Sequence, residues 1–269
     1  MGISMGTCNG VQYAKAPGYK NDWNIKVERS VDGHIDLNNS LQSTLRASHS
    51  WSYWVKLVEG YETPQITQIG SRADNNNFYK ILQMGGGGGE LQIQFAGNSD
   101  FASYSTDEDF FPDGETGWIH VGVTVANLGG TNNTQFVIYK NGIAVEGSID
   151  SSSEITGVRQ SGYTNSNTIM VGNYNNAGTV FSGDGMEGSI DEIVLYSYVL
   201  SQSDMLELYN NGDPGEANEL INTGTEFEPG KVVRYFRMLE GTGITLEDSS
   251  SAKGENATLR NATWEAADY

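Results

Sequence analysis

The stretch from Gly188 to Tyr209 constrains this chain more than any other, because its apolar spacing changes period halfway along. Ile190, Glu192, Val194 and Tyr196 are spaced for one face of a strand, and Asp191, Ile193 and Leu195 for the other. After Ser201 the spacing becomes helical, with Met205, Leu208 and Tyr209 on one face. Ser201 and Asp204 suit an N-terminal cap with an acid at the third helical position, and Asn210-Asn211-Gly212 suits a helix stop. The reading here is a strand that feeds one short capped helix.

No other part of the chain has helical spacing. Glycine is abundant and proline scarce (34 and 5 of 269 residues), and short alternating runs are separated by turn residues, which predicts an antiparallel sandwich. The strands read as His34–Leu37, Trp51–Val58, Gln65–Gly70, Phe78–Met84, Leu91–Phe95, Trp118–Val125, Thr134–Lys140, Ile143–Glu146, Thr168–Gly172, Glu187–Tyr198 and Lys231–Leu239. Asn141-Gly142 between two alternating runs predicts a tight hairpin, and Gly85–Gly89 a flexible hairpin tip. Residues 1–30 are polar and irregular and read as an arm with Tyr13, Tyr19 and Trp23 as anchors.

Four motifs stand in a fixed order: Val31-Asp32-Gly33-His34-Ile35-Asp36-Leu37, the Trp51–Leu57 strand, Gly117-Trp118-Ile119-His120-Val121-Gly122-Val123, and Tyr139-Lys140-Asn141-Gly142. Closed by Gly188–Tyr209, this order resembles the laminin-G-like domains of the concanavalin A-like lectin and glucanase class over most of residues 31–210. The resemblance implies an all-β, antiparallel two-sheet jelly-roll sandwich with one short helix after the last core strand. The expected organisation is an arm (1–30), a jelly roll (31–212), a linker (213–230) beginning at Asp213-Pro-Gly-Glu, and a C-terminal strand segment (231–269). The family usually opens with an apolar–Tyr strand ending in Glu-Gly and followed by an Asp-x-Ser turn. Here that motif stands near the end, as Val233–Gly241 followed by Asp248-Ser249-Ser250. Three readings remain open for it: it completes its own sandwich, begins a second shortened unit, or adds a strand to a neighbouring subunit.

Glycoside hydrolases of this fold carry two carboxylates two residues apart on one strand, on the same face and close enough for retaining hydrolysis. No such pattern occurs here. Asp191 and Glu192 are adjacent, so strict alternation sends them to opposite faces, and Asp107-Glu108-Asp109 reads as a solvated loop. His34, His49 and His120 are isolated and read as structural, and no nucleophile-elbow, zinc-protease or nucleotide-loop pattern appears. Cys8 is the lone cysteine, which excludes a disulfide framework and a thiolate metal site. The expectation is therefore a protein that is not an enzyme.

Calcium is the one cofactor the resemblance suggests, because related lectin domains bind it through loop Asp, Asn and backbone oxygens. Asp74 and Asn76 in one Asx-rich loop and Asp184 near another are the candidate ligands, and Tyr174, Asn175 and Asn176 the candidate glycan contacts. A net charge of −19 argues against nucleic acid and anionic membrane as partners. The first residues lack the pattern of a signal peptide, so synthesis and folding in a host cytoplasm are expected. The C-terminal arrangement resembles laminin-G-like proteins of tailed-phage particles. It implies a virion surface protein, a capsid decoration or fibre-associated subunit, that meets a major capsid protein, forms a homo-oligomer and adheres to cell-surface glycan. The alternative is a calcium-assisted lectin module, and a polysaccharide-cleaving enzyme ranks below both.

Overall fold

The computed structural model describes residues 22–58, 65–84, 89–97, 100–128, 134–149, 163–209, 212, 231–250 and 254–268, and the backbone of 7–8 and 11–12. A hairpin of β1 (Thr7–Cys8) and β2 (Val11–Gln12) precedes β3 (Trp23–Val27). β4 (His34–Asp36) and a single helical turn, α1 (Gln42–Leu45), lead into the long strands β5 (His49–Leu57), β6 (Gln65–Asp74) and β7 (Asn77–Met84). β8 (Leu91–Gly97), β9 (Asp100–Thr106), β10 (Ile119–Asn127) and β11 (Thr134–Lys140) follow. Five short strands, β12 (Ile143–Val145), β13 (Gly147–Ile149), β14 (Met170–Val171), β15 (Tyr174–Asn176) and β16 (Thr179–Val180), come before β17 (Gly188–Tyr196) and α2 (Gln202–Tyr209). β18 (Val232–Phe236), β19 (Thr245–Leu246), β20 (Ala257–Arg260) and β21 (Thr263–Ala266) close the described chain. The Gly85–Gly88 part of the hairpin tip, the linker and the Tyr13 and Tyr19 anchors lie outside the described residues.

Two sheets face each other, as the expected all-β jelly-roll sandwich requires. One runs β12-β11-β10-β5-β17-β3-β21 with β18 beside β17, and the other β13-β9-β8-β7-β6-β14-β4-β20-β19. Alternation explains the layer between them: Trp51, Tyr53 and Val55 from β5 meet Tyr79, Ile81, Ile93 and Phe95 from β7 and β8 in one buried cluster. The Asn141-Gly142 turn has positive φ at both residues (52° and 77°), the geometry whose twist matches its flanking strands.

A second apolar cluster lies on the opposite face of the first sheet, where α2 seats Met205 and Leu208 against Tyr139, Val194, Tyr196 and Tyr235. Ser201 Oγ accepts from the Asp204 N–H (3.2 Å) and Asp204 Oδ2 accepts from the Ser201 N–H (2.7 Å), so the helix starts at the expected reciprocal cap. Helix α1 was not legible, since its four residues are too few to establish a period.

Two expectations are corrected. Trp23–Val27 is not an arm but a strand within the first sheet, with Ile25 and Val27 fully buried and β17 and β21 on its two edges. The Trp23, Ile25, Val27 alternation was the available signal, masked by the polar residues around it. The second correction concerns β17, whose pairing with β5 shifts register between Asp191 and Val194, while Glu192 has φ 49°. This is a β-bulge, and it breaks strict alternation: Ile190 and Ile193, expected on opposite faces, both enter the core. Asp191 pairs with Trp54, whose ring stacks on Tyr209 of α2, and the Glu192 carboxylate accepts from the Tyr235 hydroxyl (2.7 Å) within the outer cluster. Adjacent carboxylates expected on opposite faces therefore share the outer side of the sheet.

Candidate functional site

The second sheet has a core face and an outer face, and alternation assigns the residues of each. With Tyr79, Ile81, Ile93, Phe95 and Ala102 inside, their neighbours along β7, β8 and β9 point outward. Register then sets these outward residues in rows across the strands. Gly70, Lys80, Gln94 and Ser103 form one row, and Arg72, Phe78, Ala96 and Phe101 the next. Gln94 Nε2 donates to Gln92 Oε1, and Gln92 Nε2 donates to Ser105 Oγ (2.7 Å), which makes a chain of amides along the face. Phe78 and Phe101 are half-buried, with ring centroids 5.7 Å apart, and give the face an aromatic margin. Helix α2 lies on the other sheet.

The opposite margin is built by the segment that carries the expected glycan contacts. After β14 the chain turns at Gly172, which has φ 86°, and β15 returns parallel to β6 with Tyr174 opposite Gly70. A Cβ at residue 70 would lie 2.7 Å from the Tyr174 Cβ, so only glycine lets this segment lie so close over the sheet. Tyr174 is thereby 2% exposed rather than a loop tyrosine open to a sugar. Phe181 stacks on its ring (4.9 Å, 20°), and the Lys80 ammonium sits 3.8 Å from the ring centroid. Asn175 is also buried; its Nδ2 donates to Thr168 Oγ1 (3.1 Å) and its Oδ1 accepts from the Gly178 N–H (2.8 Å), so both ends of its amide hold the turn. Asn176 is half-buried and its carbonyl accepts from Thr179 Oγ1.

Lys80 is the unusual member of this margin, a lysine only 7% exposed. Burial pulls its ammonium down to about 8; Arg72 pulls the same way and Asp184 opposes both. Burial raises the Asp184 carboxyl, with Lys80 and Arg29 opposing. Asp184 thus belongs to this margin. Asp74 does not: its Oδ1 accepts from the Asn76 N–H (2.7 Å) in the exposed β6–β7 turn, while the Asp184 carbonyl accepts from the Thr67 N–H (2.8 Å) near the other end of β6. Seven residues of extended chain separate those points, roughly 20 Å at the rise of a strand. Asp74 and Asn76 form an ordinary Asx turn, and the three expected calcium ligands do not converge on one ion. Among the described residues no group of three or more His, Cys, Asp or Glu side chains is placed to hold a metal.

The remaining chemistry-bearing groups are enclosed. Asp191 and Glu192 share a side of the sheet but are 0% and 2% exposed under α2 and β18, so burial rather than strand geometry keeps them from a polymeric substrate. His49 bonds the Ala47 carbonyl through Nδ1 (2.9 Å) and the Tyr79 hydroxyl through Nε2 (3.2 Å). His120 Nε2 lies 2.9 Å from Ser52 Oγ, and both side chains are buried beneath α2. The site residues that sequence reasoning missed are Lys80, Arg72, Gln92 and Gln94. Polar–apolar alternation in Tyr79–Ile81 and Leu91–Phe95 marked an outward face for Lys80, Gln92 and Gln94, but nothing local marked that face as a site.

Known proteins place this fold. The family model described as the concanavalin A-like lectin/glucanases superfamily matches residues 29–205, and no curated protein matches the chain. Among solved structures, a Bacteroides ovatus protein described as a candidate carbohydrate binder superposes with a TM-score of 0.56 at 14% identity, over 93% of this chain and 61% of its own. The chain thus spans about 61% of the length of that protein. The CBM40 module of the Ruminococcus gnavus IT-sialidase gives a TM-score of 0.50 at 13% identity, over 72% of this chain and 100% of its own. At such identities the likeness is one of fold. The family match spans more than half of the chain, and its ordered motifs lie in the strands of the sandwich just described: the protein belongs to the concanavalin A-like lectin/glucanases superfamily.

Proposed function

We propose that the protein is a carbohydrate-binding module, without hydrolytic chemistry of its own, that holds a glycan on the outer face of the second sheet. The observation that carries this reading is the face itself. Sugars offer hydroxyls that both donate and accept, and apolar C–H faces that pack on aromatic rings. The half-buried Gln94 and Ser105, bridged by the buried Gln92, supply the first kind of partner, Phe78 and Phe101 the second, and Arg72 a cationic fork beside them. The CBM40 module of similar fold is known bound to α2,3-sialyllactose, which supports a binding role for this architecture. Calcium is left out of the proposal because Asp74, Asn76 and Asp184 do not meet. The virion-surface role has no observation in the fold that favours it, and glycan binding suits adhesion on a particle or in any other setting.

The test is a glycan array run with calcium and with chelator, followed by titration of the ligands found. A defined set of glycans is expected under both conditions. Gln94→Ala with Phe101→Ala is expected to weaken binding at least tenfold while the melting temperature moves little. A blank array in both conditions would sink the reading.

A further inference from the structure

Lys80 is the group on this face that the fold leaves unanswered. Its ammonium has three donors, yet among the described residues it makes no hydrogen bond; its partners are the Tyr174 ring at 3.8 Å and the more distant fields of Arg72 and Asp184. An ammonium taken from water without an acceptor is costly, and a cation–π contact recovers only about 1–2 kcal/mol of that. A methionine would fill the same place over Tyr174 at no such cost. The surroundings are prepared for a second, negative occupant. Arg72 lies one row away, and among the described residues the Nη2 of Arg29, which lies near Asp184, is a buried donor without a partner. Lys80, Arg72 and Arg29 stand against the Asp184 carboxylate and the Glu187 carboxylate that accepts from the Arg29 N–H (2.8 Å), an excess of cations in a chain of net charge −19.

We propose that Lys80, with Arg72, receives a carboxylate, so that the ligand of this face is an acidic sugar, of the uronic or sialic kind, rather than a neutral one. This rests on the glycan-binding reading and goes further by naming the ligand class. A guanidinium fork and a point ammonium together match a planar, singly charged carboxylate. Asp184 beside them disfavours a more highly charged phosphate.

The test titrates the full-length protein by calorimetry with 3′-sialyllactose and with trigalacturonate, against lactose and a sulfated lactose. One or both carboxylated probes should bind at least tenfold more tightly than lactose. Lys80→Met should remove that advantage, bringing the carboxylated probe to the affinity the same variant has for lactose, and raise the melting temperature, since it deletes a buried charge. Affinity for the acid should hold from pH 6 to 7.5 and then fall up to tenfold per unit above about 8, as Lys80 loses its proton; Tyr174, Arg72, Asp184 and the neutral Gln94 are the groups around it. Lys80→Arg should carry full affinity to higher pH. Equal binding of neutral and acidic probes, preference for the sulfated probe alone, or an unchanged acid preference in Lys80→Met each overturns the inference while glycan binding stands. No binding to any probe, together with a blank array, overturns both.

Discussion

His49 and His120 stand wholly enclosed, one bonded to the Ala47 carbonyl and Tyr79, the other to Ser52, and among the described residues no carboxylate lies beside either to favour a charge. Burial pulls His49 down to about 4 and His120 to about 3. An unfolded chain protonates both near 6.5, so between that pH and 4 the unfolded state binds more protons than the folded one. Stability is therefore full above pH 6.5 and drains as pH falls, by about 3 kcal/mol for His49 alone at roughly 1.4 kcal/mol per pH unit. Urea unfolding at pH 7 and pH 5 reads this directly, and His49→Gln should flatten the dependence whatever it does to stability at pH 7. An equally steep loss in that variant would refute the assignment. The sequence read His49 and His120 as structural because no catalytic motif surrounds either, and both are enclosed. The fate of Tyr174 was not legible. Its asparagine neighbours are those of an exposed turn, and only the glycine at residue 70, far away in sequence, lets the ring sink against Lys80 and Phe181.

At the scale of elements, β17 shows how one extra residue rewrites a face. Glu192 takes a left-handed φ of 49°, which costs a residue with a side chain about 1–2 kcal/mol, and its amide donates to Asp191 Oδ1 (2.8 Å). The return is register: Ile190 pairs with Val55 before the bulge and Val194 with Ser52 after it, so both halves of the strand keep their apolar residues on packed faces. Local spacing located the strand and the helix that follows it. The bulge is set by the pairing partner, and so the alternation gave a wrong account of Asp191 and Glu192. The buried carboxylate takes one donor from the C-terminal segment. Tyr235→Phe should destabilise the protein by about 2 kcal/mol, because it leaves Glu192 short of a hydrogen bond in an enclosed site. Chemical denaturation measures it, and a change below about 0.5 kcal/mol would mean that the hydroxyl is not holding Glu192 there.

Across the whole molecule, the two ends of the described chain finish the same sandwich. β3 covers the first half of one edge of β17 and β18 the second half, while β21 pairs with β3 and β20 with β4 in the opposite sheet. Asp248 fixes this segment: its Oδ1 accepts from the Tyr235 and Ser250 N–H groups and its Oδ2 from Gly254 N–H, which is the Asp-x-Ser turn expected at Asp248-Ser249-Ser250. The motif at Val233–Gly241 was readable in sequence, yet its place was not, since strand pairing over such separations leaves no local trace. The family match ends at residue 205, and a chain cut after Gly212 would look sufficient by that measure. The packing says otherwise. Phe236, Met238, Leu246 and Leu259 all belong to the main core, and at about 2–3 kcal/mol for each buried side chain their loss is roughly 10 kcal/mol. A domain holds only about 5–15 kcal/mol in all, and the cut also bares edges of β17, β3 and β4 to other chains. Residues 1–212 should therefore lose cooperative thermal unfolding, bind hydrophobic dye and aggregate, although every family motif is present. A single sharp transition at the temperature of the full chain would show instead that β18 to β21 decorate a sandwich already complete without them.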